Sequence, residues 1–271
     1  MTVFLSRQYR KSHFRTPRSP RIASRGLLRT CECCRFVQLP EALDCGPARA
    51  AIVTFAVLPR FVSDHLDEVA RQRWWAETWP QIKRLREEKQ ALLLFGDEVS
   101  FAQWGSLGYT WALKGETPVV KTAGKRKGYK VWGLIELFSG CLFYRGQNER
   151  FDSEGYQAFL AQVLAQTTEH LILIQDGARY HTSKATRAFF AEHQDRLTVF
   201  QLPSYSPDYN PIEFLWKKMK RRATHNQYFP EFANLVSAVD EALAHFASQA
   251  AEIKSLMGLY VSAQTELATV V

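Results

Sequence analysis

Two apolar runs constrain this chain more than any other feature: "ALLLFGDEVSF", beginning at Ala91, and "HLILIQD", beginning at His170. Each is of strand length, lacks polar alternation, and ends in an aspartate, Asp97 in the first and Asp176 in the second. A strand without polar alternate positions must be covered on both faces, which demands a central place in an α/β sheet with helices on either side. Around these runs, "GYTWAL", "YKVWGLIEL" and "CLFYRG" read as further strands, so an antiparallel meander follows the first run. A helix is expected from Ser153 to about Gln166, then one after a Thr182 or Ser183 cap, then a short strand at "LTVFQL". The expected fold is α/β, a mixed sheet flanked by helices.

The second constraint is "QLPSYSPDYNPIEFLWKKMKRR", Gln201 to Arg222, a proline-punctuated loop that becomes a helix. Asn210 is placed to cap and Pro211 to open the helix, because a proline in the first turn forfeits no hydrogen bond. Glu213 then falls in the first turn, and Asp208 serves the turn before it. Two strand-end aspartates and a helix-start glutamate are what an α/β sheet presents at its ligand-binding edge. If the two runs are neighbours, Asp97 and Asp176 lie too close to stay ionised without a cation. Mg²⁺, which seeks oxygen and accepts a few carboxylates completed by water and phosphate, suits them, and two ions about 4 Å apart would serve phosphodiester cleavage. No Ser, Cys or Tyr stands in a compelling nucleophile setting.

Charge supports a nucleic-acid partner. Residues 1–60 hold eleven Lys/Arg and three Asp/Glu, 11 − 3 = +8, which is the whole formal net charge. The rest balances, yet its bases cluster in "GKRKG" (Lys125, Arg126, Lys127) and in Lys217, Lys218, Lys220, Arg221 and Arg222. Those two clusters are the expected DNA contacts. No apolar run reaches the about 18–20 residues a membrane span needs, and no secretory signal is evident, so a cytoplasmic protein is expected. The cysteines do not form a disulfide framework, and "CECC" lacks zinc-ligand spacing.

From Leu92 to Arg222 the chain resembles the catalytic domain of bacterial insertion-sequence transposases of the mariner-like DDE superfamily. The resemblance rests on "FGDEVSFAQWGSLGYTWALKGETPVV", "LILIQDGARYH" and "LPSYSPDYNPIEFLWKKMKRR", the last being the most specific. The 213 − 176 − 1 = 36 residues between the second and third acids also suit the family. The resemblance implies an RNase H-like fold, Mg²⁺ or Mn²⁺ held by Asp97, Asp176 and Glu213, cleavage at transposon ends, and joining of 3′ ends into target DNA, with a homodimer on the DNA. Within it, Glu98 is a supporting or structural group, and His181 contacts substrate or orients a ligand. Gly177 replaces the Asn common after the second acid.

The domain reading that follows is a basic, loosely ordered segment at 1–60, a helical linker at 61–90, the catalytic domain at 91–225, and a helical extension at 226–271. Residues 1–60 do not resemble the helix-turn-helix region the family carries, so that region is expected as a separate or frameshift-fused partner. In the linker, two helices parted near Pro80 should bury Leu66, Val69, Ala70 and Trp74, and Trp104 and Trp111 should be packing aromatics. The competing functions are a structure-directed nuclease on the same fold and a catalytically idle DNA-binding remnant.

Overall fold

The computed structural model describes residues 64–257; the expectations for residues 1–60 and for the cysteines before Cys141 lie outside them. Its core is a five-stranded mixed sheet, β1 (Leu92–Ala102), β2 (Gly128–Glu136), β3 (Leu142–Gln147), β4 (Leu171–Gln175) and β5 (Leu197–Gln201), in the order β3-β2-β1-β4-β5. β1 therefore sits at the centre, antiparallel to β2 and parallel to β4, as its unbroken apolar run requires.

Helices cover both faces, and the residues of β1 divide between them by the two-residue period of a strand. Leu93, Phe95 and Val99 join a cluster with α5 (Ile212–Ala223) and α6 (Phe232–Ser248), while Leu94 joins α3 (Ser153–Gln166) and Leu173 of β4. α3 buries Tyr156, Phe159, Leu160, Val163 and Leu164, the apolar stripe of a helix packed on a sheet, and Asp152 caps it by accepting from the Gly155 N–H at 2.8 Å. α4 (Lys184–Glu192) begins at Ser183, whose Oγ accepts from the Thr186 N–H at 3.1 Å. α6 contributes Leu235, Val239 and Phe246 to the same cluster as β1. Among the described residues, no helix is long and apolar enough to cross a membrane.

Four expectations fail. "GYTWAL" is not a strand: residues 103–127 run as an irregular connection on which Tyr109 and Trp111 are fully exposed. Trp104, half exposed, is likewise no packing aromatic. The helices before β1 are not parted at Pro80. α1 (Glu68–Arg73) continues through one π-helical stretch, Trp74–Thr78, into α2 (Trp79–Lys89), where Pro80 is accommodated in the first turn. Val69 faces solvent, and the buried α1 side chain is Arg71.

Candidate active site

The parallel ladder of β1 and β4 pairs Phe95 with Ile174. Asp97 and Asp176 each come two residues later, so they occupy matching positions on neighbouring strands. β1 itself runs on to Ala102 against β2, which places Asp97 within a strand and not at its end.

Glu213 reaches the same place by way of a tryptophan. Trp216, one turn later on α5, donates its Nε1–H to Asp97 Oδ2 at 3.0 Å. Residues three apart share a helix face, and the charge of Glu213 is felt at Asp97. Room for the indole comes from Gly133, the β2 partner of Asp97, where an added Cβ would lie 2.5 Å from Trp216 Cη2. Asn210 is not a cap: Pro211 occupies the cap position, and the Asn210 side chain donates to the Gly96 carbonyl at 2.9 Å. Asp208 lies in the 3-10 turn Pro207–Tyr209, as expected, and also accepts guanidinium N–H groups of Arg71 at 2.9 and 2.7 Å.

On the opposite face of β1, Glu98 accepts from the Tyr180 hydroxyl, and its other oxygen, Oε2, is buried with no hydrogen-bond partner. His181 lies between Glu98 and Asp176. Its Nδ1 is 2.9 Å from Asp176 Oδ1, its Nε2 is 3.9 Å from Glu98 Oε2, and its ring packs 4.4 Å from Tyr156 and 4.6 Å from Tyr180. His181 is only 3% exposed. Gly177 matters through Gln201, whose Nε2 would be 2.1 Å from a Cβ there.

The acids feel one another. Burial, then the charges of Glu213 and Asp176, push the Asp97 pKa up to about 7. Burial, then Asp97 and Asp176, push Glu98 to about 8. Burial works on Asp176 in the same direction, but hydrogen bonds from His181 and the Ala178 N–H outweigh it and leave that carboxyl below its ordinary value. Mutually destabilised carboxylates are what a cation relieves. Among the described residues no three His, Cys, Asp or Glu side chains close into a cage for one ion. An open arrangement still suits Mg²⁺, which is commonly held by one or two carboxylates with water and substrate phosphate completing its shell. The donor set of Asp97, Asp176 and Glu213, all oxygen, fits such an ion.

The basic clusters divide. Lys217, Arg221 and Arg222 are exposed on α5 and Lys220 is partly so, whereas Lys218 is paired with Glu252 at 2.9 Å. In the connection before β2, Lys125, Arg126 and Lys127 are exposed, with Lys125 4.0 Å from Glu231 and Lys127 5.8 Å above the Phe232 ring.

The family model for DDE superfamily endonucleases matches residues 92–236, the stretch that carries all three acids. The chain belongs to this family. Among curated proteins it is similar to the Tc1 transposase of Caenorhabditis elegans, 29% identical over 157 residues, covering 56% of this chain and 55% of that one. It is also 28% identical over 178 residues to the Tc3 transposase of the same organism, covering 60% and 53%. The chain thus spans about half the length of these relatives. An uncharacterized protein of Sinorhizobium fredii, y4pE/y4sA, is 28% identical over 88 residues, covering 32% of this chain and 62% of that one. Among solved structures, the Mos1 transposase paired-end complex with left transposon end superposes with a TM-score of 0.57 at 18% identity, over 79% of this chain and 67% of Mos1. That likeness is one of fold, and it makes this DDE superfamily sheet RNase H-like.

Proposed function

We propose that the chain is the catalytic portion of an insertion-sequence transposase, cutting DNA at transposon ends and joining the freed 3′ ends into target DNA. One observation carries the reading: Asp97 in β1 and Asp176 directly after β4 each follow the paired Phe95 and Ile174 by two residues, and Asp97 feels the charges of both Asp176 and Glu213. The paired-end and strand-transfer complexes of Mos1, and the Tc1 and Tc3 relatives, support the activity. The Sinorhizobium relative supports a bacterial element.

In this reading Asp97, Asp176 and Glu213 hold two divalent ions, Mg²⁺ or Mn²⁺; Mos1 paired-end complexes are known with each metal. When bound, such ions lower the pKa of attacking water and offset charge on the leaving oxygen. The chain's own residues supply orientation. Trp216 fixes one oxygen of Asp97, and His181 fixes Asp176 and keeps it ionised. Lys217, Lys220, Arg221 and Arg222, with the Lys125–Lys127 cluster, hold phosphates and bring the scissile bond to the acids. A homodimer on paired ends, with a separately encoded or fused helix-turn-helix region for end recognition, completes the proposal. The test is cleavage of a duplex carrying the element's terminal repeat. Mg²⁺-dependent nicking that disappears in Asp97→Asn, Asp176→Asn and Glu213→Gln supports the reading; nicking that survives any of them refutes the assignment of that acid.

A further inference from the structure

The loop between β5 and α5 touches the strand positions just before both aspartates. At its start, the Leu202 N–H donates to the carbonyl of Gln175, the residue before Asp176, at 2.8 Å. Near its end, Asn210 Nδ2 donates to the carbonyl of Gly96, the residue before Asp97, at 2.9 Å, in a buried bond. The Glu213 N–H then donates to the Asn210 carbonyl at 3.2 Å. One loop is therefore bonded next to all three acids, and a shift of the loop shifts them relative to one another.

That loop is clasped from outside by α1 and the π-helical stretch that follows it. Arg71 gives Asp208 two parallel hydrogen bonds, at 2.9 and 2.7 Å, and its guanidinium lies 4.0 Å from the centre of the Tyr209 ring. Trp74 donates its Nε1–H to the Gln201 carbonyl at 3.0 Å, and Trp75 meets Tyr209 edge-on at 5.3 Å. Arg71 is only 8% exposed. An arginine is seldom buried unless paired, and a bidentate fork fixes orientation as well as distance, which a lysine cannot do.

We propose that Arg71 and Asp208 are a positioning pair: the helix preceding the sheet, through this clasp, sets the spacing of Asp97, Asp176 and Glu213 and hence their grip on the metal. The inference rests on the transposase reading above, since it takes the three acids as the metal ligands. A clasp that only stabilises the fold would change melting temperature without changing metal affinity, and the test separates the two.

Mn²⁺ binding to the full chain is measured by titration calorimetry, beside thermal unfolding without metal, for wild type, Arg71→Ala, Arg71→Lys, Asp208→Asn and the exchanged pair Arg71→Asp with Asp208→Arg. Asp97→Asn defines background binding. Tyr129→Phe is the control, because it removes only the bond from the Tyr129 hydroxyl to Asp240 at 2.8 Å, away from the loop. Arg71→Ala and Asp208→Asn should weaken Mn²⁺ binding about tenfold, as removal of an outer support for metal ligands does. Arg71→Lys should weaken it several-fold, the exchanged pair should regain much of the affinity, and Tyr129→Phe should leave it unchanged. If Arg71→Ala does not fold, Arg71→Lys decides. Unchanged affinity in folded Arg71 variants overturns the inference alone, as does an equal weakening in Tyr129→Phe. A wild type that binds Mn²⁺ no better than Asp97→Asn overturns the metal reading and the inference together.

Discussion

Replacing Asp97 by asparagine should stabilise the metal-free protein at pH 8 while removing its cleavage activity. Asn keeps the shape of Asp97 and can still accept the Trp216 Nε1–H, so the substitution removes charge and little else. The Asp97 pKa rises from 3.8 to about 7 on folding, chiefly through burial and then through Glu213 and Asp176. At about 1.36 kcal/mol per pKa unit, a shift of about 3 corresponds to at most about 4 kcal/mol. Relaxation and coupling to Glu98 reduce this, and about 2 kcal/mol is the expected gain. The sign follows from proton counts. Between pH 4 and 7 the folded state holds more protons on Asp97 than the unfolded state, so stability present below the unfolded pKa is lost as pH rises through about 7. Denaturant titrations at pH 4.5 and pH 8 in the presence of a chelator test this. The gap between wild type and Asp97→Asn should be several-fold smaller at pH 4.5 than at pH 8, with Asn the more stable, and Mg²⁺ should stabilise wild type alone. An asparagine variant no more stable than wild type at pH 8 would refute the electrostatic reasoning.

Other outcomes follow from the same geometry. Gly133→Ala places a methyl against Trp216, so cleavage should collapse, and overpacking of this kind should cost about 1–3 kcal/mol in thermal or denaturant unfolding. His181→Ala leaves Asp176 Oδ1 with the Ala178 N–H alone, and the Mg²⁺ concentration for half-maximal nicking should rise about 10–100-fold with circular dichroism unchanged. Neutralising Lys217, Arg221 and Arg222 together should lower the log–log salt slope of DNA binding by about 0.9 for each phosphate left without its cation, equally on terminal-repeat and scrambled duplex. An unchanged slope would make these residues a solvated face.

The parts of this fold legible in the sequence were those with a local signature. Unbroken apolar runs marked β1 and β4 as doubly covered strands, and each aspartate followed its run at the same offset, so adjacency of the strands placed the two together. What the sequence hides depends on pairing across long separations. Arg71 and Asp208 stand 137 residues apart, and neither looks unusual where it stands. Trp216 reads as an ordinary core position on α5, and only the register of Asp97 against Gly133 reveals why an indole fits there. "GYTWAL" has the composition of a strand, but strand composition is a context-dependent signal, and here the segment runs exposed between β1 and β2. Likewise, an apolar helix such as α6 reads from sequence as an extension, and only the assembled cluster shows it packed with β1.

The most direct test of the central claim is a crystal structure of the chain with Mn²⁺, the ion located by its anomalous scattering. The account predicts an ion between Asp97 and Asp176, with carboxylate oxygens at about 2.0–2.2 Å, and Glu213 facing it directly or as ligand to a second ion about 4 Å away. Manganese bound elsewhere on a well-ordered chain, or Glu213 turned away from the aspartates with the ion in place, would contradict it.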